Sequence, residues 1–286
     1  MTKKTAKIID GKKIADKILW ELKGKIARLN RPPGLAVILV GDDSASRLYV
    51  NNKKKAADKI GVKFCEYLCG NKFYSNITEK KILEMIEFLN HDSEIDAIIV
   101  QLPLPQKFNT EKIINQIKNE KDVDVFKNKK AELIQDKTII SPPLVQAVDE
   151  ALKSTGQNLK AKKAVIVAKN PIFSRPMKKN LEIKDVQVEI IKPNKKMAAK
   201  TKMADILIVI VGQKNLIKKT MVKPGAIVVD IGTNLMAKNK WVGDVDSKVR
   251  EIASWLTPVP GGIGPLTVAM LLKNTYQLAK NNSLKI

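Results

Sequence analysis

"GLAVILVGDDSASRLYVNNKKKAADKIGVKFCEYLC", residues 34–69, is the stretch that decides the fold. Its first seven residues form an apolar run closed by Gly41, which suits a strand buried on both faces of a parallel sheet. "SASRLYVNNKKKAADKI" then has helical character, with Ser44 placed to cap its start and Gly61 to stop it. "VKFCEYLC" returns to strand. A strand, a helix and a second strand in immediate succession predict a parallel βαβ unit.

The alternation extends in both directions. Upstream, "DGKKIADKILWELKGKIARL" carries Ile14, Ile18, Leu22 and Ile26 at helical spacing behind a capping Asp10. Downstream, "TEKKILEMIEFLN" is helical and "IDAIIVQL" is a strand ending in "PLP". After "KDVDVF" and "SPPLVQAVDEAL" the pattern restarts: strand "KAVIVA", a helix from "RPMKKNLE" with Pro176 near its first turn, then strands in "VQVEII", "ADILIVIVG" and "GAIVVDIG". "GPLTVAMLLKNTYQLAK" closes the series as an amphipathic helix able to pack back on the earlier part. The fold class is therefore α/β, as two units joined near residues 120–150.

Composition narrows the function. Apolar residues make up 44% of the 286, enough for a sizeable core, and no apolar run approaches the ~20 residues of a membrane helix. The basic N-terminus lacks the apolar stretch of a signal peptide. Cys65 and Cys69, without nearby histidines, make neither a zinc site nor a disulfide framework, so no metal is expected and a reducing cytoplasm is the natural compartment. A net charge of +23 raises nucleic acid as a partner. The excess is lysine dispersed along the chain, with few aromatics to stack on bases, and a small polyanion fits the same charge.

Four segments could carry chemistry. In "YVNNKKKAADKIG" the i,i+4 spacing puts Tyr49 on the face of Lys53, while Lys54 and Lys55 point elsewhere; a desolvated Lys53 would be a general base, although three adjacent lysines are as easily solvated charge. "VQLPLP" sets Gln101, a polar residue, at the end of an apolar strand whose edge should face a ligand crevice; the other reading is an ordinary turn. "KDVDVF" offers Asp122 and Asp124, which loop solvent could equally satisfy. "TPVPGGIGPLTVA" brackets Gly261, Gly262 and Gly264 with prolines, giving a rigid backbone that a ligand can approach closely.

These segments, with "KPGAIVVDIGTN" and "VGDV", resemble in order and separation the bifunctional methylenetetrahydrofolate dehydrogenase/methenyltetrahydrofolate cyclohydrolase family, from about residue 8 to about residue 280. The resemblance implies two α/β domains with a folate cleft between them. Residues 1–122 with 265–286 would form the catalytic, folate-binding domain, and 145–260 a Rossmann-like NAD(P)-binding domain. It implies NADP- or NAD-dependent oxidation of 5,10-methylenetetrahydrofolate to the 5,10-methenyl form, and hydrolysis of that cation to 10-formyltetrahydrofolate. Lys53 falls on the family's catalytic lysine, Gln101 on the glutamine that hydrogen-bonds it, and Asp124 on the aspartate that holds the pterin. Tyr49, Leu102, Pro260, Gly261 and Gly262 would line the folate site. A homodimer, and a folate substrate with its negatively charged glutamate tail, are also implied.

The nucleotide half departs from the pattern. Where the family has Gly-Arg/Ala-Ser-x-x-Val-Gly-x-Pro, this chain has "AKNPIFSRP", with Ala168 and Ser174 in place of both glycines. Added side chains there are expected to crowd a backbone that should approach pyrophosphate closely. The family's "HS" pair is Lys192-Pro193, and Val125 and Val145 stand where glycines are usual. Lys169, Arg175 and Lys192 could still supply charge, and Asn170, Gly212, Gly232 and Thr233 complete the expected nucleotide set. Two alternatives therefore stand beside the bifunctional enzyme: a cyclohydrolase that has lost its dinucleotide, and a non-catalytic folate- or nucleic-acid-binding protein.

Overall fold

The structure is a computed structural model and describes residues 5–70, 77–126, 140–236 and 240–283. Its elements run β1 (Lys7–Ile8), α1 (Gly11–Ile26), β2 (Gly34–Val40), α2 (Ser44–Ile60), β3 (Lys63–Cys69), α3 (Glu79–His91), β4 (Ala97–Val100) and α4 (Thr110–Gln116). Then come α5 (Pro143–Ser154), β5 (Lys163–Ala168), α6 (Pro171–Glu182), β6 (Gln187–Ile191), α7 (Ala198–Thr201), β7 (Ile206–Ile210) and β8 (Ile227–Asp230). The last are β9 (Asn234–Met236), β10 (Lys240–Val242), β11 (Trp255–Leu256) and α8 (Ile263–Ser283). Part of the expected junction near 120–150, residues 127–139, lies outside the described residues.

The chain divides into two compact units, Asp16–Pro143 with Val268–Ile286, and Met1–Ala15 with Leu144–Thr267. In the first, β2 is the middle of a parallel sheet ordered β3-β2-β4, with Leu35 in register with Phe64 and Ala97. All seven β2 residues are buried because helices cover both faces. Leu35, Val37 and Leu39 pack with Leu22, Val50, Ala57 and Leu271, drawn from α1, α2 and α8. Ala36, Ile38 and Val40 pack with Ile82, Ile86 and Ile113, drawn from α3 and α4. The C-terminal helix thus returns to the first unit. Both cysteines are free thiols facing the α3 side.

Asp43, one residue before the expected cap, starts α2: its carboxylate accepts from the Ser46 N–H at 2.7 Å. A carboxylate is the better acceptor at a positive helix end. Gly61 ends the helix in the left-handed conformation, at φ 82°.

The second unit holds an all-parallel sheet ordered β1-β11-β8-β7-β5-β6. Residues 7–8, expected with the first domain, pair instead with Trp255 and Leu256 at the edge of this sheet. A two-residue strand carries no periodicity by which its partner could be read. Helix α6 also begins earlier than expected, at Pro171, so that Pro176 lies inside it. Asn170 caps the Ile172 N–H at 3.0 Å and starts the helix upstream of the second proline.

Candidate active site

Lys53 lies in the apolar stripe of α2, between buried Val50 and Ala57, and is itself only 8% exposed. Lys54 and Lys55 are exposed. Burial therefore picks one lysine out of three. The Lys53 ammonium donates to Gln101 Oε1 at 2.7 Å, and Gln101 Nε2 donates to the Leu102 carbonyl at 2.7 Å. That second bond fixes which end of the amide faces the lysine. Gln101 stands just beyond β4, its own N–H held by Ile38 O at 2.9 Å, so the sheet positions the pair.

Burial pushes the Lys53 pKa down, partly opposed by the charge of Asp124. Asp124 is half-buried, yet its carboxyl is crowded by protein; desolvation raises its pKa to about 7, with Lys53 acting in the opposite direction. Each group's charge supports that of the other, while burial favours the free amine of Lys53 and the protonated carboxyl of Asp124. Tyr49 is half-buried, one turn before Lys53 on α2.

The two aspartates of "KDVDVF" do different things. Asp122 is 5% exposed and accepts the Val125 N–H at 3.0 Å, closing the turn that carries Asp124. Val125 has φ 56°, a left-handed conformation that is strained for a β-branched residue and free for the glycine usual here. Asn274 of α8, missed by the sequence reading, is fully buried and donates from Nδ2 to Val123 O at 3.1 Å and Ser141 O at 2.9 Å. It pins the residue next to Asp124. A polar residue inside the apolar run of α8 was the available signal.

The remaining expected residues belong to the second unit. Pro260 is exposed, while Gly261 accepts the Lys12 N–H at 2.9 Å through its carbonyl and Gly262 is pressed against Gly11. In the nucleotide loop, only Lys169 and Asn170 separate β5 from α6. Ala168 is buried, and buried Ser174 turns its hydroxyl back to the Asn170 carbonyl at 3.4 Å. Both side chains expected to crowd the loop are buried, and Lys169, Asn170, Pro171 and Arg175 are its exposed residues. Lys192, just past β6, is exposed as well, as are Gly212 and Thr233. Gly232 is buried, and a side chain there would collide with the Asp244 carboxylate.

Asp230 and Asp244 were not singled out by the sequence reading. Asp230, 3% exposed, accepts the N–H groups of Gly232, Asp244 and Val245 at 2.9, 3.1 and 2.9 Å. Burial raises its pKa to about 7 against the pull of those donors. Asp244 is fully buried. Among the described residues no group of three His, Cys, Asp or Glu side chains could hold a metal ion, and no helix is long and apolar enough to cross a membrane.

Comparison with known proteins gives this geometry its context. Residues 9–124 match the family described as tetrahydrofolate dehydrogenase/cyclohydrolase, catalytic domain, and residues 142–283 match its NAD(P)-binding domain. The bifunctional protein FolD of Ruthia magnifica subsp. Calyptogena magnifica is 42% identical over 278 residues, covering 94% of this chain and 96% of the relative. The solved structure of the bifunctional FolD enzyme of Campylobacter jejuni superposes with TM-score 0.89 at 40% identity, over 96% of this chain and 99% of that one. That of Trypanosoma brucei, described as complexed with NADP cofactor and an inhibitor, gives TM-score 0.91 at 31% identity over 99% of each chain. With a matched NAD(P)-binding domain, the alternative of a cyclohydrolase without dinucleotide is not favoured.

Proposed function

The chain belongs to the tetrahydrofolate dehydrogenase/cyclohydrolase family, and on that premise we propose how its residues divide the work. The protein oxidises 5,10-methylenetetrahydrofolate to the 5,10-methenyl form with NAD(P)+ and hydrolyses the product to 10-formyltetrahydrofolate. Lys53 is the general base of the hydrolysis. As a free amine it takes a proton from the water that adds to the methenyl carbon. The hydroxyl of the adduct then gives up its proton to become the formyl carbonyl as the bond to N5 breaks, and N5 takes a proton back from the lysine. Gln101 aims the amine, and Asp124 accepts the N–H groups of the pterin when ionised. Within the first unit, Tyr49 and Leu102 line the folate. The observation that carries the reading is the 2.7 Å bond from buried Lys53 to Gln101 beside a carboxyl of raised pKa.

The second unit suits a dinucleotide: Lys169, Arg175 and Lys192 are exposed beyond the carboxyl ends of β5 and β6 and in the first turns of α6, and Gly212 has open space about it. When bound, NAD(P)+ supplies the hydride acceptor. The protein's part in that step is to hold the folate carbon in place, since the folate nitrogens drive hydride loss. We further infer a homodimer in a reducing cytoplasm, acting in the one-carbon supply to purine synthesis, with the dispersed lysines attracting the polyglutamate tail rather than nucleic acid. Two assays on purified protein test the reading: hydrolysis of methenyl-folate without dinucleotide, and oxidation of methylene-folate with NADP or NAD. Both activities are expected. Failure of hydrolysis would refute the role given to the first unit, and failure of oxidation with either dinucleotide that given to the second.

A further inference from the structure

The loop that follows β7 is held from behind. The N–H groups of Val211, Gly212 and Gln213 all point at the Asp244 carboxylate, at 2.7, 3.0 and 2.7 Å, and Asn234 Nδ2 adds a fourth bond at 3.0 Å. Three successive amides converging on one point make an anion-binding nest. Here the protein's own carboxylate fills it. That carboxylate is fixed in turn, because the Asp244 N–H donates to Asp230 at the end of β8, and Gly232 lacks the side chain that would displace it. The loop lies at the carboxyl edge of the parallel sheet, where open α/β sheets take ligands, and Gly212 and Gln213 are exposed there.

We propose that Asp244 is a positioning residue of the dinucleotide site, turning the 211–213 amides inward so that this loop meets its ligand with carbonyl oxygens and takes a hydroxyl or amino group, not a phosphate. A trans peptide sets its C=O opposite its N–H, so the Val211 and Gly212 carbonyls turn away from the carboxylate. A buried negative charge behind the loop also repels phosphate. The phosphates are left to Lys169, Arg175 and Lys192, which lie at β5, α6 and β6 instead. The complementary groups on a dinucleotide are its ribose hydroxyls and its amino and carboxamide nitrogens. The inference rests on the reading that this unit binds NAD(P).

The test is calorimetric titration of NADP into wild type, Asp244→Asn and Asn234→Ala at several salt concentrations, beside hydrolysis of methenyl-folate without dinucleotide. Asp244→Asn sets an amide donor against the loop amides and is expected to weaken NADP about tenfold or more, Asn234→Ala a few-fold. The slope of affinity against salt stays that of wild type, because the phosphate contacts are intact, and hydrolysis stays within about twofold. Unchanged NADP affinity in both variants would overturn the proposal. So would a flattened salt slope, which would mean a phosphate contact had been lost, or hydrolysis falling in step with affinity in both. If Asp244→Asn does not fold, Asn234→Ala decides by the same criteria. A wild type that binds no dinucleotide would overturn the underlying reading, and this proposal with it.

Discussion

A lysine in the apolar stripe of a helix is costly unless its charge is partnered or its proton is shed, and Lys53 has arrangements for both. The amide oxygen of Gln101 accepts from the ammonium, while burial favours the free amine. Lys53→Met should lower cyclohydrolase turnover by about a hundredfold or more, the usual worth of a positioned general base, while Lys54→Ala on the exposed face should stay within about twofold. Equal losses in steady-state assays of the two variants would put the base elsewhere. The coupling to Asp124 has a defined sign. Its negative charge raises the Lys53 pKa, so Asp124→Asn removes that support and the amine should lose its proton at lower pH. The acid limb of the kcat–pH profile, measured at saturating methenyl-folate, should therefore shift down in pH. A shift upward would mean that the two charges do not interact as the geometry indicates. The i,i+4 relation to Tyr49 pointed to Lys53 in the sequence, but the stronger local signal was its place between Val50 and Ala57, where an apolar side chain is expected. Spacing alone could not separate Asp122 from Asp124, which only the family resemblance told apart, because their roles depend on a turn closed by Asp122 itself.

At the scale of elements, the apolar runs predicted β2, β4, β5, β7 and β8, because a strand buried on both faces has no polar alternation to confuse it. Termini were harder. The α6 start was displaced because Asn170-Pro171 and Arg175-Pro176 are both acceptable helix openings, and only the Asn170 cap decides between them. Long-range tethers were invisible, since a buried amide such as Asn274 finds its carbonyl partners 151 and 133 residues away. Its importance to α8 can be measured. Asn274→Ala leaves the buried Val123 carbonyl without this donor and removes the bond to the half-buried Ser141 carbonyl, which should cost about 1–3 kcal/mol of unfolding free energy. The variant should also impair hydrolysis more than NADP binding, because Val123 adjoins Asp124. Denaturant melts beside the two assays check this; a loss below about 0.5 kcal/mol, within the range of ordinary surface substitutions, would mean that other groups satisfy these carbonyls.

Over the whole molecule, the +23 charge that first suggested nucleic acid takes a more specific meaning once the second sheet is assembled. In doubly wound sheets the group near the end of the second strand chooses the cofactor: a carboxylate takes the ribose diol of NAD, and a basic group takes the 2′-phosphate of NADP. Strand β6 is followed by exposed Lys192, Lys195 and Lys196, and its one acidic residue, Glu189, pairs with Lys200 at 3.3 Å. Lys169 adds charge at the end of β5. NADP should therefore be preferred to NAD by about ten- to a hundredfold in kcat/KM, the worth of one or two charge-assisted contacts. Because these side chains are exposed, the preference should shrink as salt is raised across the physiological range. Lys192→Glu should reduce it sharply, chiefly by weakening NADP, with the cyclohydrolase of the first unit unaffected. Steady-state oxidation of methylene-folate with each dinucleotide, at low and high salt, measures all three. Equal use of NAD and NADP by the wild type would mean that the lysines at this edge stay solvated and that the 2′-phosphate is not read there.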